Sequence, residues 1–352
     1  MSGIQSSPTK IATISELLAL SDSQYRIYDL GRRVDKISKE QFTQIESNQL
    51  AYPYPSKGHA FIAIAFWQKH LSQPFLWFVK IPLDEYGLLN QAARDHFIAI
   101  IIEALGSNIT IVPSEKQEQL LKNNPYHFTP PQYKLAALNS KIKLELKQPG
   151  SEHLHLFLQY IAGDLTWGNW QEIGVQGISD FAVRINEVGN TQLLISALPK
   201  LATEVLLPLC SALENEPLTV ELSNSIINAY YEYEDNNNGI ELQQHLLRAL
   251  SSSCHQAHVI DFARELLVSK KPSTDILIIL SGRCWLLWQK PERLMGYLEC
   301  IVQMKNQPLF SAIFKDLVGI PVIRPNIFLC MRDPKRSNEL AQAIGLLLTN
   351  SN

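Results

Sequence analysis

No apolar run in this sequence is long. The strongest, at residues 61–67, 75–79 and 276–280, fall far below the roughly 18 residues that a membrane-spanning helix requires. A leader is not expected either, because residues 1–22 start polar, contain Lys10 and continue as a short amphipathic stretch. Charge of one sign is also missing: 31 Lys and Arg stand against 34 Asp and Glu, for a net charge of -3. No global field draws such a chain to nucleic acid or to an anionic membrane. Cysteine is absent from the first 209 residues, and the five that follow are odd in number and never form a CxxC pair. That pattern argues against a disulfide framework and for reduced thiols in a cytoplasm. GxxxxGK[ST], GxGxxG, GxSxG and HExxH are all missing, which excludes phosphate cradles, a nucleophile elbow and a zinc-protease helix of those kinds. The lone GxxG at Gly174 and Gly177 lies in a helical pattern without the strands of a KH domain. Neither a cofactor nor a metal is expected.

What is present is enough apolar material for more than one core. The chain has 352 residues, of which 46% are hydrophobic, so two domains are expected. Helix starts are marked by a Ser or Thr followed three residues later by Glu or Gln: Thr13 and Glu16, Ser38 and Gln41, Ser114 and Gln117. Strand signals lie between them at 25–30, 59–67 and 75–81, where aromatic and β-branched residues cluster. A longer helix is expected at 86–105 with Gly106 as its cap, and a last strand at 108–112. Strand, helix, strand, strand, helix, strand is the order of a ferredoxin-like βαββαβ domain, here with an extra N-terminal helix. In that plan the stretch from Phe61 to Trp67 sits at a sheet edge although it is apolar on both faces. The helical half, the first helix or a second copy of the chain must then cover it, so a homo-oligomer through this strand is one expectation.

Residues 1–122 are thus read as an α/β domain, 123–150 as a linker with a bridging helix at 132–146, and 151–352 as all-helical. Ten amphipathic segments are expected after residue 150: 151–162, 168–186, 191–213, 217–233, 239–252, 255–269, 273–289, 292–305, 308–318 and 336–349. They fit equally a HEAT-like helical repeat of roughly 40 residues or an irregular helical bundle. Two Trp-x-x-Trp segments, at Trp167 and Trp170 and at Trp285 and Trp288, echo each other. Residues 321–336, with three prolines and Arg324, Arg332, Lys335 and Arg336, read as a solvated basic loop.

Chemistry concentrates at one place. Asp29, Arg32 and Arg33 flank Gly31 at the end of the first strand, and His59 opens the second after Tyr52 and Tyr54. Two arginines oriented by a carboxylate, with an imidazole nearby, are suited to gripping an anion. The same residues also suit a braced turn in which Gly31 permits the bend and Asp29 holds an arginine. Cys254, His255 and His258, with His245 upstream, are ligand types, but on a polar helix they read as surface residues. The residues of the first cluster, 27–34, together with 52–55, 59–67 and the aromatic strand 75–79, resemble a family of uncharacterised full-length proteins, mostly from marine gammaproteobacteria. That resemblance implies a bacterial cytosolic setting and one full-length architecture, and it transfers no site. The functional expectation is a non-enzymatic interaction protein whose helical surface meets a protein partner. The alternative is an enzyme or small-anion sensor built on Asp29, Arg32, Arg33 and His59.

Overall fold

The computed structural model describes residues 11–68, 74–106, 109–110, 113–233, 239–268 and 272–349. The chain divides into two compact units, 1–130 and 131–352.

In the first unit the order is α1 (Ile14–Leu20), β1 (Gln24–Asp29), β2 (Asp35–Ile37), α2 (Lys39–Glu46), β3 (His59–Trp67), β4 (Phe75–Pro82), α3 (Gln91–Leu105) and α4 (Glu115–Lys122). The capping signals sit where the sequence places them. Thr13 Oγ1 accepts from Glu16 N at 3.0 Å and the Glu16 carboxylate accepts from Thr13 N at 3.2 Å; Ser38 and Gln41 make the same pair. Ahead of α4 the return half of the motif is made, with Gln117 Oε1 accepting from Ser114 N at 2.8 Å. The long helix starts later than expected, at Gln91. Asp84 Oδ1 accepts from Tyr86 N and Leu88 N and holds a turn there, after which Asn90 Oδ1 caps the helix by accepting from Ala93 N at 3.0 Å.

The four strands run in the order β2-β1-β3-β4, and every neighbouring pair is antiparallel. This corrects the ferredoxin-like expectation, in which the strands at 24–29 and 59–67 are parallel and separated by a third. Here they are antiparallel neighbours, and β2, which the sequence patterns did not suggest, takes one edge. The reason lies in β3. Its residues Ile62, Ala63, Ile64, Ala65 and Phe66 are all buried, and only a strand hydrogen-bonded on both sides offers two dry faces without leaving backbone groups unpaired. Pairing with β1 and β4 therefore covers the strand from Phe61 to Trp67, and it has no free edge for a second copy. The outer edge of β4 is covered in turn, since Lys80 N donates to Tyr126 O at 2.7 Å and Val79 bridges to His127. Most of the strand expected at 108–112 lies outside the described residues; Ile109 and Thr110 form a turn. Leu17 and Leu18 of α1, Phe42 and Ile45 of α2, and Phe97 and Ile101 of α3 share one core with Ile62, Ile64 and Phe66.

The second unit holds α5 (Gln132–Glu145), α6 (Glu152–Ala162), α7 (Val175–Ala182), α8 (Asn190–Ala197), α9 (Thr203–Leu213), α10 (Val220–Glu232), α11 (Gly239–Ala249), α12 (Ala257–Val268), α13 (Thr274–Gly282), α14 (Pro291–Gln303), α15 (Gln307–Gly319), α16 (Arg324–Arg332) and α17 (Asn338–Thr349), with no strand among its described residues. Three expected helices are broken. The segment 191–213 splits into α8 and α9 at Pro199, which lacks the N–H a continuous helix needs. The Trp-x-x-Trp segments become short 3-10 turns, Trp167–Glu172 and Trp285–Gln289. The basic stretch is not a loop throughout, because α16 occupies its middle with Pro325 in the first turn, where a missing N–H leaves no helical bond unmade.

These helices pack on their next-but-one neighbours. The series α5, α7, α9, α11, α13, α15, α17 forms one row, and α6, α8, α10, α12, α14, α16 forms the other. Side-chain bonds between helices keep the same step along the chain. Ser140 Oγ donates to Asp180 40 residues on, Tyr231 OH to Glu265 34 residues on, and Gln307 Nε2 to Ala343 O 36 residues on.

Asp180 makes one of these links and titrates with consequence. It accepts from Ser140 Oγ at 2.5 Å and from Ser151 N at 2.6 Å. Burial pushes its pKa up, but the hydrogen bonds from Ser140, Ser151 and Gln176 outweigh burial and leave it below the ordinary value. A depressed carboxylate pKa means the unfolded chain binds more protons. The stability it contributes is therefore complete above the unfolded value of about 3.9 and is lost as pH falls through the folded one. Asp180→Asn is expected to cost about 1–3 kcal/mol at pH 7, with the gap to the native chain closing below pH 4 in urea titrations.

Candidate functional site

The cluster singled out in the sequence is a tightly bonded turn. β1 delivers Asp29, fully buried, to the start of the turn. Asp29 Oδ1 accepts from Gly31 N at 3.1 Å and from Tyr52 OH at 2.6 Å, while Oδ2 accepts from Arg32 N at 3.0 Å. A Cβ at Gly31 would sit 3.2 Å from Asp29 Oδ1 and 3.3 Å from Ser56 Cβ and Tyr54 O, so a larger residue there requires these neighbours to shift by a few tenths of an ångström. Burial, then the adjacent Asp29 charge, pushes the Tyr52 hydroxyl well above its usual pKa; burial raises Tyr54 to about 12. Arg32 Nε donates to Pro55 O at 2.9 Å. Arg33 donates Nε and Nη2 to Asp35 Oδ2 at 3.1 and 3.0 Å. His59 Nδ1 lies 2.8 Å from Lys57 O, with its ring tilted 6.2 Å from that of Phe61. The fold thus joins Asp29 and Arg32 through the turn and Tyr52, and pairs Arg33 with Asp35. His59 is bonded to Lys57.

The other histidines and cysteines that carried ligand potential are also bonded separately. His258 Nε2 lies 2.8 Å from Ser223 Oγ, His245 Nδ1 lies 3.2 Å from Leu207 O, and the Cys254 thiol donates to Leu250 O. No group of three metal-ligating side chains is gathered among the described residues.

Sequence reasoning missed a second constellation, a polar hub in the row of odd-numbered helices. Glu214, which follows α9 and is fully buried, accepts from Arg248 Nε of α11 at 3.0 Å, and its Oε2 lies 3.7 Å from Arg283 Nε after α13. Arg283 Nη2 reaches Tyr133 OH of α5 at 3.4 Å, 150 residues away, and the Arg248 guanidinium lies over the Tyr133 ring at 5.8 Å. Beside it Lys141 Nζ pairs with Glu216 at 2.7 Å. Two guanidiniums share one carboxylate, so the hub carries an excess positive charge. Burial, then Arg248, holds the His245 pKa below its ordinary value; burial drives the Cys210 thiol up to about 12. Glu214 Oε1 and Arg248 Nη2 have no hydrogen-bond partner among the described residues. Each of the four residues reads in sequence as an ordinary polar position on a helix, and no local signal links them.

A third feature is a groove of about 490 Å³ between α12 and α14. Ile260, Ala263, Leu267, Leu287, Trp288 and Cys300 give it apolar walls, and Arg264, Glu292, Arg293 and Glu299 its polar ones. Gly296 lies in the middle of α14, and a Cβ there meets nothing within 4 Å. Mid-helix glycine costs roughly 0.5–1 kcal/mol relative to alanine. Gly296→Ala is accordingly expected to stabilise the chain by about that amount, read as a raised denaturant midpoint with unchanged slope.

An antiparallel α/β unit followed by an all-helical unit, with no gathered metal ligands among the described residues, defines a two-unit α+β and helical protein. The chain belongs to the family described as protein of unknown function (DUF3549), whose model matches residues 9–348 and so spans both units. Comparison with curated proteins returned no match, and neither did comparison with solved structures.

Proposed function

We propose that this chain is a non-enzymatic interaction protein, an adaptor whose helical unit is a HEAT-like repeat array presenting its surface to a protein partner. Support for the repeat reading comes from next-but-one packing in two rows and from inter-helix bonds 34–40 residues apart. Repeats of this kind bury each other's apolar faces and leave broad surfaces for partners. The observation that carries the interaction reading is on α16 and just before it. Phe328 is 44% exposed, Leu329 55% and Val322 48%, an apolar set near the end of the stack, where a terminal repeat with no partner ordinarily turns a polar face to water. Free, buried thiols at Cys210, Cys254, Cys284, Cys300 and Cys330 agree with a reducing cytoplasm. No helix among the described residues is long and apolar enough to cross a membrane.

The anion-sensing alternative at Asp29, Arg32, Arg33 and His59 gains less support, since Arg32 Nε and two nitrogens of Arg33 already donate within the turn. Size-exclusion chromatography with light scattering and pull-down from native lysate test the interaction reading. A stoichiometric partner retained by the native chain and lost on Phe328→Glu with Leu329→Glu supports it. A chain that stays solitary at physiological concentration, or a partner indifferent to both substitutions, overturns it.

A further inference from the structure

The apolar set on α16 has a shape and a charge, and both bear on what covers it. At about 100° of helix rotation per residue, Pro325, Phe328, Leu329 and Arg332 fall within one arc of about 100°, and all four are exposed. The opposite arc holds the buried Ile327 and Cys330. Asn326 Nδ2 donates to Trp288 O at 3.2 Å and the Cys330 thiol donates to Pro291 O, so the inner side is tied to the start of α14 and the turn before it. Along the same row α10, α12 and α14 each have a helix packed on either side. The outer arc of α16 is therefore a face of the kind that, elsewhere in the row, another helix covers.

Its charge is one-sided. Between residues 324 and 336 stand four basic residues and one acid. Arg324 turns back on its own chain, donating to Val318 O and Gly319 O, and Arg336 donates to Asp333 O. Arg332 and Lys335 differ: both are exposed, and neither side chain makes a hydrogen bond or ion pair with a described residue. Burial, then the charges of Asp333 and Glu292, raise the Cys330 thiol to about 11, which sets both acids near the inner arc. The outer arc thus carries apolar side chains with free cations at its C-terminal end and no anion.

Two other occupants fit poorly. A second copy meeting this face with the same face brings cations and no anion to Arg332 and Lys335. Recognition of an anionic lipid surface ordinarily takes a cluster of about 4–8 Lys or Arg, and a chain of net charge -3 adds no long-range attraction to one.

We propose that the outer face of α16 docks an acidic amphipathic helix of a protein partner, its apolar residues on Phe328 and Leu329 and its Asp or Glu side chains a turn away on Arg332 and Lys335. This rests on the interaction reading given above and names the chemistry of the partner. The apolar contact holds the helix, and the charges fix its direction and reject basic competitors.

Fluorescence anisotropy of a labelled peptide of about 18 residues, long enough to hold a helix, titrated with the full chain, tests this. The peptide carries leucine at helical spacing and glutamate elsewhere; its twin has lysine in place of every glutamate. Saturable binding of the glutamate peptide is expected, weakened about tenfold or more in Arg332→Glu with Lys335→Glu and abolished in Phe328→Glu with Leu329→Glu. The lysine twin is expected to bind the native chain about tenfold more weakly or not at all. Circular dichroism melts establish that each variant folds; if the charge-reversed one does not, Arg332→Gln with Lys335→Gln takes its place. Absence of saturable binding, equal affinity after the charge substitutions, equal binding of the twin, or co-sedimentation with phosphatidylglycerol vesicles that is lost on charge reversal overturns the proposal. Where the glutamate peptide fails while a lysate partner is still lost on Phe328→Glu with Leu329→Glu, only this partner chemistry falls; where that partner is missing too, the interaction reading falls with it.

Discussion

Glu214→Ala is expected to lower the stability of the helical unit by about 3–5 kcal/mol, because it leaves a buried guanidinium uncompensated. Glu214 is fully buried and its Oε2 accepts from Arg248 Nε at 3.0 Å. Burial works to lower the Arg248 pKa, yet the Glu214 charge and hydrogen bond more than offset it and hold the group above its ordinary value. The carboxylate is therefore what makes a charged Arg248 tolerable at this position. Arg283 also faces the same oxygen at 3.7 Å, so the loss reaches two cations and two further helices. Chemical denaturation of the full chain reads the effect. Replacing both partners, Glu214→Leu with Arg248→Met, is expected to recover the Arg248 part of it, since an apolar pair of similar volume avoids both desolvation costs, while Arg283 still lacks its carboxylate. A loss below 1 kcal/mol for Glu214→Ala alone would show that water screens the hub.

Asp29→Ala is expected to cost about 3–4 kcal/mol. The carboxylate accepts from Gly31 N, Arg32 N and Tyr52 OH, and hydrogen bonds to a buried charge contribute about 1.5–3 kcal/mol each, less than additively when they share one acceptor. Tyr52→Phe removes one of the three and is expected to cost about 1–2 kcal/mol. The two substitutions together are expected to cost little more than Asp29→Ala alone, because Tyr52 loses its acceptor in either case. Urea midpoints of the three variants measure the coupling. Full additivity would mean that the turn is not held by this network.

Much of the fold was legible where the signal is local. The pairs Thr13 with Glu16 and Ser38 with Gln41 mark helix starts because the motif closes within four residues. The limits of α6, α10 and α14 follow from apolar periodicity in the same way. The candidate turn at Asp29 was visible for a similar reason: a glycine flanked by a carboxylate and two arginines at a strand end is a short-range pattern. Its partner Tyr52 lies 23 residues on, and nothing local announces which oxygen it meets.

Pairing in the sheet shows the limit most clearly. The run of aromatic and β-branched residues that identifies β3 as a strand says nothing about its neighbours, and the order of elements suggested an edge position. Burial of both faces placed it between β1 and β4 instead. Likewise the three prolines around α16 suggested a loop, although one of them occupies a helix position where its missing donor is harmless.

The sequence by itself determined that the chain carries no long apolar span, that its first third mixes strands with capped helices, and that helices dominate after residue 150; each of these rests on interactions between residues a few positions apart. Tertiary structure decided the strand order, the meeting of Tyr133, Glu214, Arg248 and Arg283, and the groove opened by Gly296. Those depend on which surfaces are closest after packing, a choice made by the burial of many residues at once and by chain separations as large as the 150 residues between Tyr133 and Arg283.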